Sequence, residues 1–129
     1  VKKNKNTLLI KCPENLIANV DSQLLKEALI NLLENATKYG DKKSPLKVMV
    51  KKDSKIQINV ENIGDPINKK YHKKIFQRFF RVDKSRDRKA GGTGLGLAIV
   101  KHISIVHGGE VLVKSLDNRV TRFTIFLPI

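Results

Sequence analysis

The sequence predicts an α+β domain, with helices layered on one face of a mostly antiparallel sheet. Three observations carry this. Elements follow one another as strand, helix, two strands, helix, two strands. Leu24, Leu25, Ala28, Leu29, Leu32 and Leu33 recur at helical spacing, the buried stripe of one long helix. Segments 46–50 with 56–60, and 110–115 with 119–127, alternate as strands around short polar turns.

In chain order, residues 7–12 form a short strand, turned by Pro13, Glu14 and Asn15, and residues 16–20 a brief second extended piece. Asp21 or Ser22 caps the first long helix, and Gly40 ends it. Asp53-Ser54 turns the first hairpin, and 64–68 is a Gly/Pro turn. Residues 72–80 suit a short helix with Ile75, Phe76 and Phe79 inward. Residues 81–90 are charged, lack an apolar period and read as a mobile loop. The second main helix runs over about 95–106, burying Leu97, Ile99, Val100, Ile103 and Val106, and His107-Gly108-Gly109 stops it. The last hairpin turns at Asp117-Asn118.

The 129 residues suit a single domain with a real core, and 40% hydrophobic content separates the chain from disordered sequences. No apolar run approaches the roughly 18 residues that span a bilayer. The polar start Val1-Lys2-Lys3-Asn4 is no signal peptide, and its abruptness suggests a piece of a longer protein. A formal charge of +14 favours polyanionic partners, among them nucleotide phosphates, nucleic acid and acidic lipid, or else a lysine-rich surface that keeps the domain dissolved. Aromatic content of 5% without Trp argues against single-stranded nucleic acid. The lone Cys12 cannot form an internal disulfide, which fits a reducing cytosol, and is expected to fill a small space in the core. One Cys and three scattered His give no metal-ligand spacing.

Two segments carry candidate chemistry. Gly91-Gly92-Thr93-Gly94-Leu95-Gly96-Leu97 runs directly into the second helix. Glycines permit close backbone approach, and a helix start offers unpaired N–H groups and a positive dipole end, so the pair reads as a phosphate seat. On the first helix Asn31, Asn35 and Lys38 share one face at i, i+4 and i+7. Amide oxygens suit Mg²⁺ when phosphates supply the negative charge, and Lys38 can neutralise a phosphate.

Here the chain resembles the ATP-binding catalytic domain of bacterial sensor histidine kinases, in the superfamily shared with gyrase, Hsp90 and MutL. Residues 31–39 are similar to the family's N box, 60–67 to its G1 box, 75–83 to its F box and 92–97 to its G2 box. The resemblance spans essentially the whole chain. It implies the Bergerat ATP-binding fold, a two-layer α/β sandwich, as a single domain over 1–129 with an ATP lid at about 68–93. It implies that Asn35 coordinates Mg²⁺ with Asn31 assisting, that Lys38 reaches the phosphates, and that Tyr39 lies near adenine or ribose. Asn62, Gly64 and Ile67 would belong to the adenine segment, and Gly92, Thr93, Gly94, Leu95, Gly96 and Leu97 would wrap the phosphates. Arg78 and Arg81 match the F-box arginines that approach the terminal phosphate.

Two departures stand out. Asn62 replaces the usual Asp that accepts from the adenine amino group. It can still accept, without charge assistance. Pro66 replaces a glycine and stiffens its turn. Hydrolases of the superfamily place a Glu four residues before the magnesium Asn. This chain has Asn31 there, and an amide is no general base. None of His72, His102 or His107 sits in a phosphoacceptor setting; each reads as a surface or capping residue.

The implied activity is binding of Mg-ATP and donation of the γ-phosphoryl group to a histidine on a separate dimerisation domain, then to a response-regulator aspartate. The implied whole protein is a homodimer anchored in a bacterial membrane, with this piece a cytoplasmic monomer that binds no nucleic acid. An ATP-binding module with little or no kinase activity is the alternative, and salt-sensitive nucleic-acid binding or an anti-sigma-type serine kinase are more distant ones.

Overall fold

The structure is a computed structural model that describes residues 7–81 and 94–129. Five strands form one sheet in the order β1-β2-β3-β5-β4, where β1 is Leu8–Lys11, β2 Leu46–Lys52, β3 Lys55–Ile63, β4 Glu110–Leu116 and β5 Val120–Pro128. β1 runs parallel to β2, and every other pairing is antiparallel. Two helices, α1 (Ser22–Tyr39) and α2 (Gly96–Val106), pack on each other and on one face of the sheet. The sheet is mostly antiparallel and the fold is the expected α+β one.

Period-two alternation assigns the faces. Ile56, Ile58 and Val60 of β3 stand opposite Leu127, Ile125 and Phe123 of β5, and all six are buried beneath the helices with Ala28, Leu32, Val100 and Ile103. The other face carries paired polar groups. The Thr124 hydroxyl donates to Asn59 Oδ1 at 2.6 Å, and Arg122 Nε donates to Glu61 Oε2 at 2.6 Å. Asn59, Glu61 and Thr124 are each under a tenth exposed, and this pairing offsets the cost of burying them.

The helix ends follow local chemistry. Asp21 caps α1, its carboxylate accepting from the N–H groups of Gln23 and Leu24. Gly40 closes α1 through its N–H to the Ala36 carbonyl. His107 caps α2 and ties it to the start of α1. The backbone N–H of Asp21 donates to His107 Nε2 at 2.9 Å, so that nitrogen is unprotonated. Nδ1 then carries the proton and donates to the Ile103 carbonyl at 2.9 Å. The capping role expected for His107 holds, and the helices are pinned antiparallel, C-terminus of α2 to N-terminus of α1.

Five expectations need correction. Residues 16–20 form no strand. Residues 72–80 are no continuous helix: a single 3₁₀ turn, Lys74–Phe76, stands there, preceded by another at Lys69–Tyr71. Ile75 and Phe76 are buried as expected, yet Phe79 takes φ 64° and is 68% exposed. Val106 is exposed, because the last turn of α2 turns Ile103 and Ser104 inward and Ile105 and Val106 outward. Cys12 is exposed because it follows β1, an edge strand whose four residues all face solvent. The proposed mobile loop at 81–90, save residue 81, and residues 82–93 of the lid lie outside the described residues.

Replacing His107 by Ala removes both bonds and is expected to lower the unfolding free energy by about 1 kcal/mol in urea titration. Gly109→Ala should cost more, about 2 kcal/mol, because a Cβ there would overlap the Phe126 carbonyl oxygen.

Candidate nucleotide-binding site

Four segments distant in sequence meet at one end of the helix-covered sheet face. The floor is a break in the apolar pattern. Beyond the level of Val60, Phe123 and Val113, the register places Asn62 opposite Thr121 and Thr121 opposite Ser115. Asn62 is 5% exposed and Thr121 3%. Three neighbouring strands therefore switch from aliphatic to hydrogen-bonding side chains at the same level, Asn62 and Thr121 buried and Ser115 exposed at the edge of the sheet.

The first wall is α1. Asn31 Nδ2 donates to the Glu27 carbonyl at 3.0 Å, which turns Oδ1 away from its own helix. That oxygen faces the start of α2, where a Cβ on Gly96 would sit only 3.0 Å from it. The amide-bearing helix and the glycine-rich turn thus touch, as the spacing of their residues requires. Because α2 begins beside Asn31, the last two turns of α1 run on past it. Those turns carry Asn35, half-buried, and Lys38, exposed. The helix end then crosses β3 at a glycine contact. Gly40 bridges Gly64, and the Asp41 N–H donates to the Ile63 carbonyl at 2.6 Å. Asn62 Nδ2 lies against both glycines, 3.4 Å from where either Cβ would be.

The second wall is the start of α2. Its N-cap, Leu95, makes no side-chain cap bond, and the start of a helix carries a partial positive charge that suits an anion. Gly94 has φ 77°, a left-handed turn that suits glycine, and its carbonyl accepts the Phe79 N–H at 2.7 Å. A Cβ on Gly94 would collide with the Phe79 backbone at 2.7 Å. Leu95 and Leu97 are half-buried, with Leu97 packed on the core.

The third wall is the segment after β3. The half-buried Ile67 presents its carbonyl to two donors, the Ser115 hydroxyl and His72 Nε2, each at 3.0 Å. His72 is therefore a structural donor here. Arg78 is exposed, Arg81 is half-buried and engaged, and Tyr39 is half-buried and engaged. Gly92 and Thr93 lie outside the described residues.

Sequence reasoning missed two features. One is the polar floor of Thr121 and Ser115, whose only signal is the lapse of alternation after Phe123 and Val113. The other is an ion cluster on Arg119, in the β4–β5 turn. Arg119 grips Asp41 with both terminal nitrogens, at 2.7 and 3.1 Å, and reaches Asp65 at 3.4 Å. The hydrogen bond and charge of Asp41, and then those of Asp65, raise the guanidinium pKa above its ordinary value. Among the described residues no cluster of three or more His, Cys, Asp or Glu could hold a metal on its own.

The family described as histidine kinase-, DNA gyrase B- and HSP90-like ATPase matches residues 20–129. The chain belongs to that family. This ATPase domain is 47% identical over 109 residues to the sensor histidine kinase CusS of Escherichia coli K12, covering 84% of this chain and 22% of that protein. It is 37% identical over 117 residues to the sensor histidine kinase WalK of Bacillus subtilis 168, covering 88% of this chain and 19% of that one. The catalytic domain of the histidine kinase ThkA superposes with a TM-score of 0.81 at 29% identity, covering 98% of this chain and 82% of that one. The ATPase domain spans about a fifth of the length of the curated relatives it matches.

Gly64→Ala tests the crossing of α1 over β3. A Cβ there would overlap the Tyr39 carbonyl oxygen and stand 3.1 Å from Gly40 Cα, backbone atoms with little room to yield. Thermal unfolding should report a loss of about 2 kcal/mol.

Proposed function

We propose that this domain binds Mg-ATP between the end of α1 and the start of α2, and that within a longer sensor kinase it donates the γ-phosphoryl group to a histidine of a separate dimerisation domain. The observation that carries the reading is the contact of Asn31 with Gly96: it sets an amide-bearing helix face beside an uncapped helix N-terminus.

The residues fit the ligand. Asn31 and Asn35 supply neutral oxygens, and no carboxylate cluster competes for the cation among the described residues, so a magnesium ion here takes its anionic ligands from the phosphates. When bound, Mg²⁺ neutralises phosphate charge. Asn35 holds the cation, with Asn31 beside it. Lys38 places a second positive charge at the rim. The N–H groups of α2 and the segment 92–97, with Gly92 and Thr93, receive the phosphates. The buried amide of Asn62 accepts from the adenine amino group, with Gly64 and Ile67 lining the base and Tyr39 at its edge. Arg78 and Arg81 approach the terminal phosphate.

The domain's contribution is positioning and charge neutralisation, with no covalent step on its own side chains. With Asn31 one turn before Asn35, no carboxylate stands there to activate water, which favours transfer over hydrolysis. The acceptor histidine and its activation belong to the dimerisation domain. The phosphoryl group then passes to an aspartate on a response-regulator receiver. The whole protein acts as a membrane-anchored homodimer with this domain in the cytoplasm as a monomeric unit, and its +14 charge serves phosphates, with no role in nucleic-acid binding.

Calorimetric titration of a non-hydrolysable ATP analogue, with and without Mg²⁺, tests the reading. Binding should tighten with the metal, and Asn35→Ala should abolish that gain, weakening affinity about tenfold or more. Unchanged binding by the variant would sink the assignment. Full-length protein incubated with labelled ATP should form acid-labile phosphohistidine; an ATP-binding module without transfer would form none.

A further inference from the structure

We infer that Arg119 is a positioning residue that fixes the distance between the two ends of the nucleotide site. The inference rests on the reading of α1 as the phosphate side and the end of β3 as the base side. It concerns a residue outside the proposed nucleotide contacts that is bonded to the ends of both elements.

Three segments converge on Arg119. Its guanidinium takes Asp41, one residue past the close of α1, in a two-pronged bond at 2.7 and 3.1 Å. The same guanidinium reaches Asp65, just past the end of β3, at 3.4 Å. Its backbone carbonyl accepts the Gly64 N–H at 3.0 Å. Asn118 and Arg119 have φ of 62° and 64°, a turn in which both central residues are left-handed, and this geometry sets the direction in which the arginine leaves the hairpin.

Geometry explains why a third point matters. The bridge between Gly40 and Gly64 is a narrow contact of two backbones without side chains. Below it Ala28, Leu32 and Ala36 seat α1 on the core, and beside it the Asp41 N–H donates to the Ile63 carbonyl, so a further bond from outside both elements stiffens the crossing at its end. Arg119 binds both from the β4–β5 turn, and so opposes rotation of α1, with Asn35 and Lys38, relative to β3, with Asn62. A lysine keeps the charge without the fork geometry. The pair is half exposed, so its expected effect is modest.

A ligand that spans both walls gains from a fixed spacing; a ligand that occupies one wall does not. The experiment compares three probes on the 129-residue chain and its variants: the ATP analogue with Mg²⁺, adenosine, and Mg-tripolyphosphate. Nuclear magnetic resonance titration covers the weak probes. Arg119→Ala and Asp41→Asn should each weaken the analogue about three- to fivefold and leave adenosine and tripolyphosphate unchanged. Arg119→Lys should restore part of the loss. The double variant should cost little more than either single one. Urea midpoints of the variants identify any that fail to fold, and the Asp41→Asn arm stands if Arg119→Ala does. Equal weakening of all three probes would make Arg119 a purely structural residue and overturn the inference. So would undiminished binding of the analogue. If the unaltered chain binds no analogue, the nucleotide reading itself fails, an outcome distinct from either.

Discussion

The closeness of α1 and α2 is the constraint on which the rest of the site depends. Asn31 Oδ1 stands only 3.0 Å from where a side chain at Gly96 would begin. His107 holds the opposite ends of the two helices together through a neutral imidazole bonded on both nitrogens. Between these two points the antiparallel pair has little freedom to slide. Since α2 is the shorter helix and its far end is pinned, its N-terminus must fall part-way along α1. The exposed turns of α1 beyond that level exist because of this difference in length, and they hold the amide and lysine that the proposed chemistry uses.

Glycine serves this domain mainly through absent volume. Gly96 admits Asn31, and the Gly40–Gly64 pair lets a helix end lie on a strand end. Among the described glycines only Gly94 pairs a left-handed backbone with a crowded neighbour. The sequence invites a single explanation for every glycine in 91–96, that of close approach to an anion. The structure divides the labour for the two it describes: Gly96 packs helices, and Gly94 makes the turn that leads into α2.

How much could be read in advance depended on whether the deciding partner was near in sequence. α1 was legible because its cap, its stripe and its stop are all local: Asp21, the leucines and Gly40. Both hairpins were legible from alternation. The glycine-rich turn and the Asn31 face were visible as separate motifs, and their order suggested that they meet. The segment after β3 misled because Ile75, Phe76 and Phe79 fit a helical stripe. Phe79 is instead drawn out of the core by its bond to the Gly94 carbonyl, fifteen residues on. Cys12 misled because hydrophobicity does not reveal which strand lies at the edge. The Arg119 cluster was invisible, its partners lying 78 and 54 residues away.

The alternation of β3 says most clearly where this domain departs from what folding alone would favour. Its odd positions, Asn59 and Glu61, are polar and paired with β5 on the open face. Its even positions, Ile56, Ile58 and Val60, are aliphatic and buried. At Asn62 the inner face breaks its own rule, and β5 breaks it at the same level with Thr121. An aliphatic pair there would extend the core without burying polar groups, at a gain of about 1 to 2 kcal/mol for each side chain. Two adjacent strands forgo that gain at one place. The place is also where a helix end is brought within backbone contact of the sheet. A shared lapse at a single level fits the polar ligand proposed to lie across both strands, and at Asn62 it also lets a small amide pack against the two glycines of the crossing.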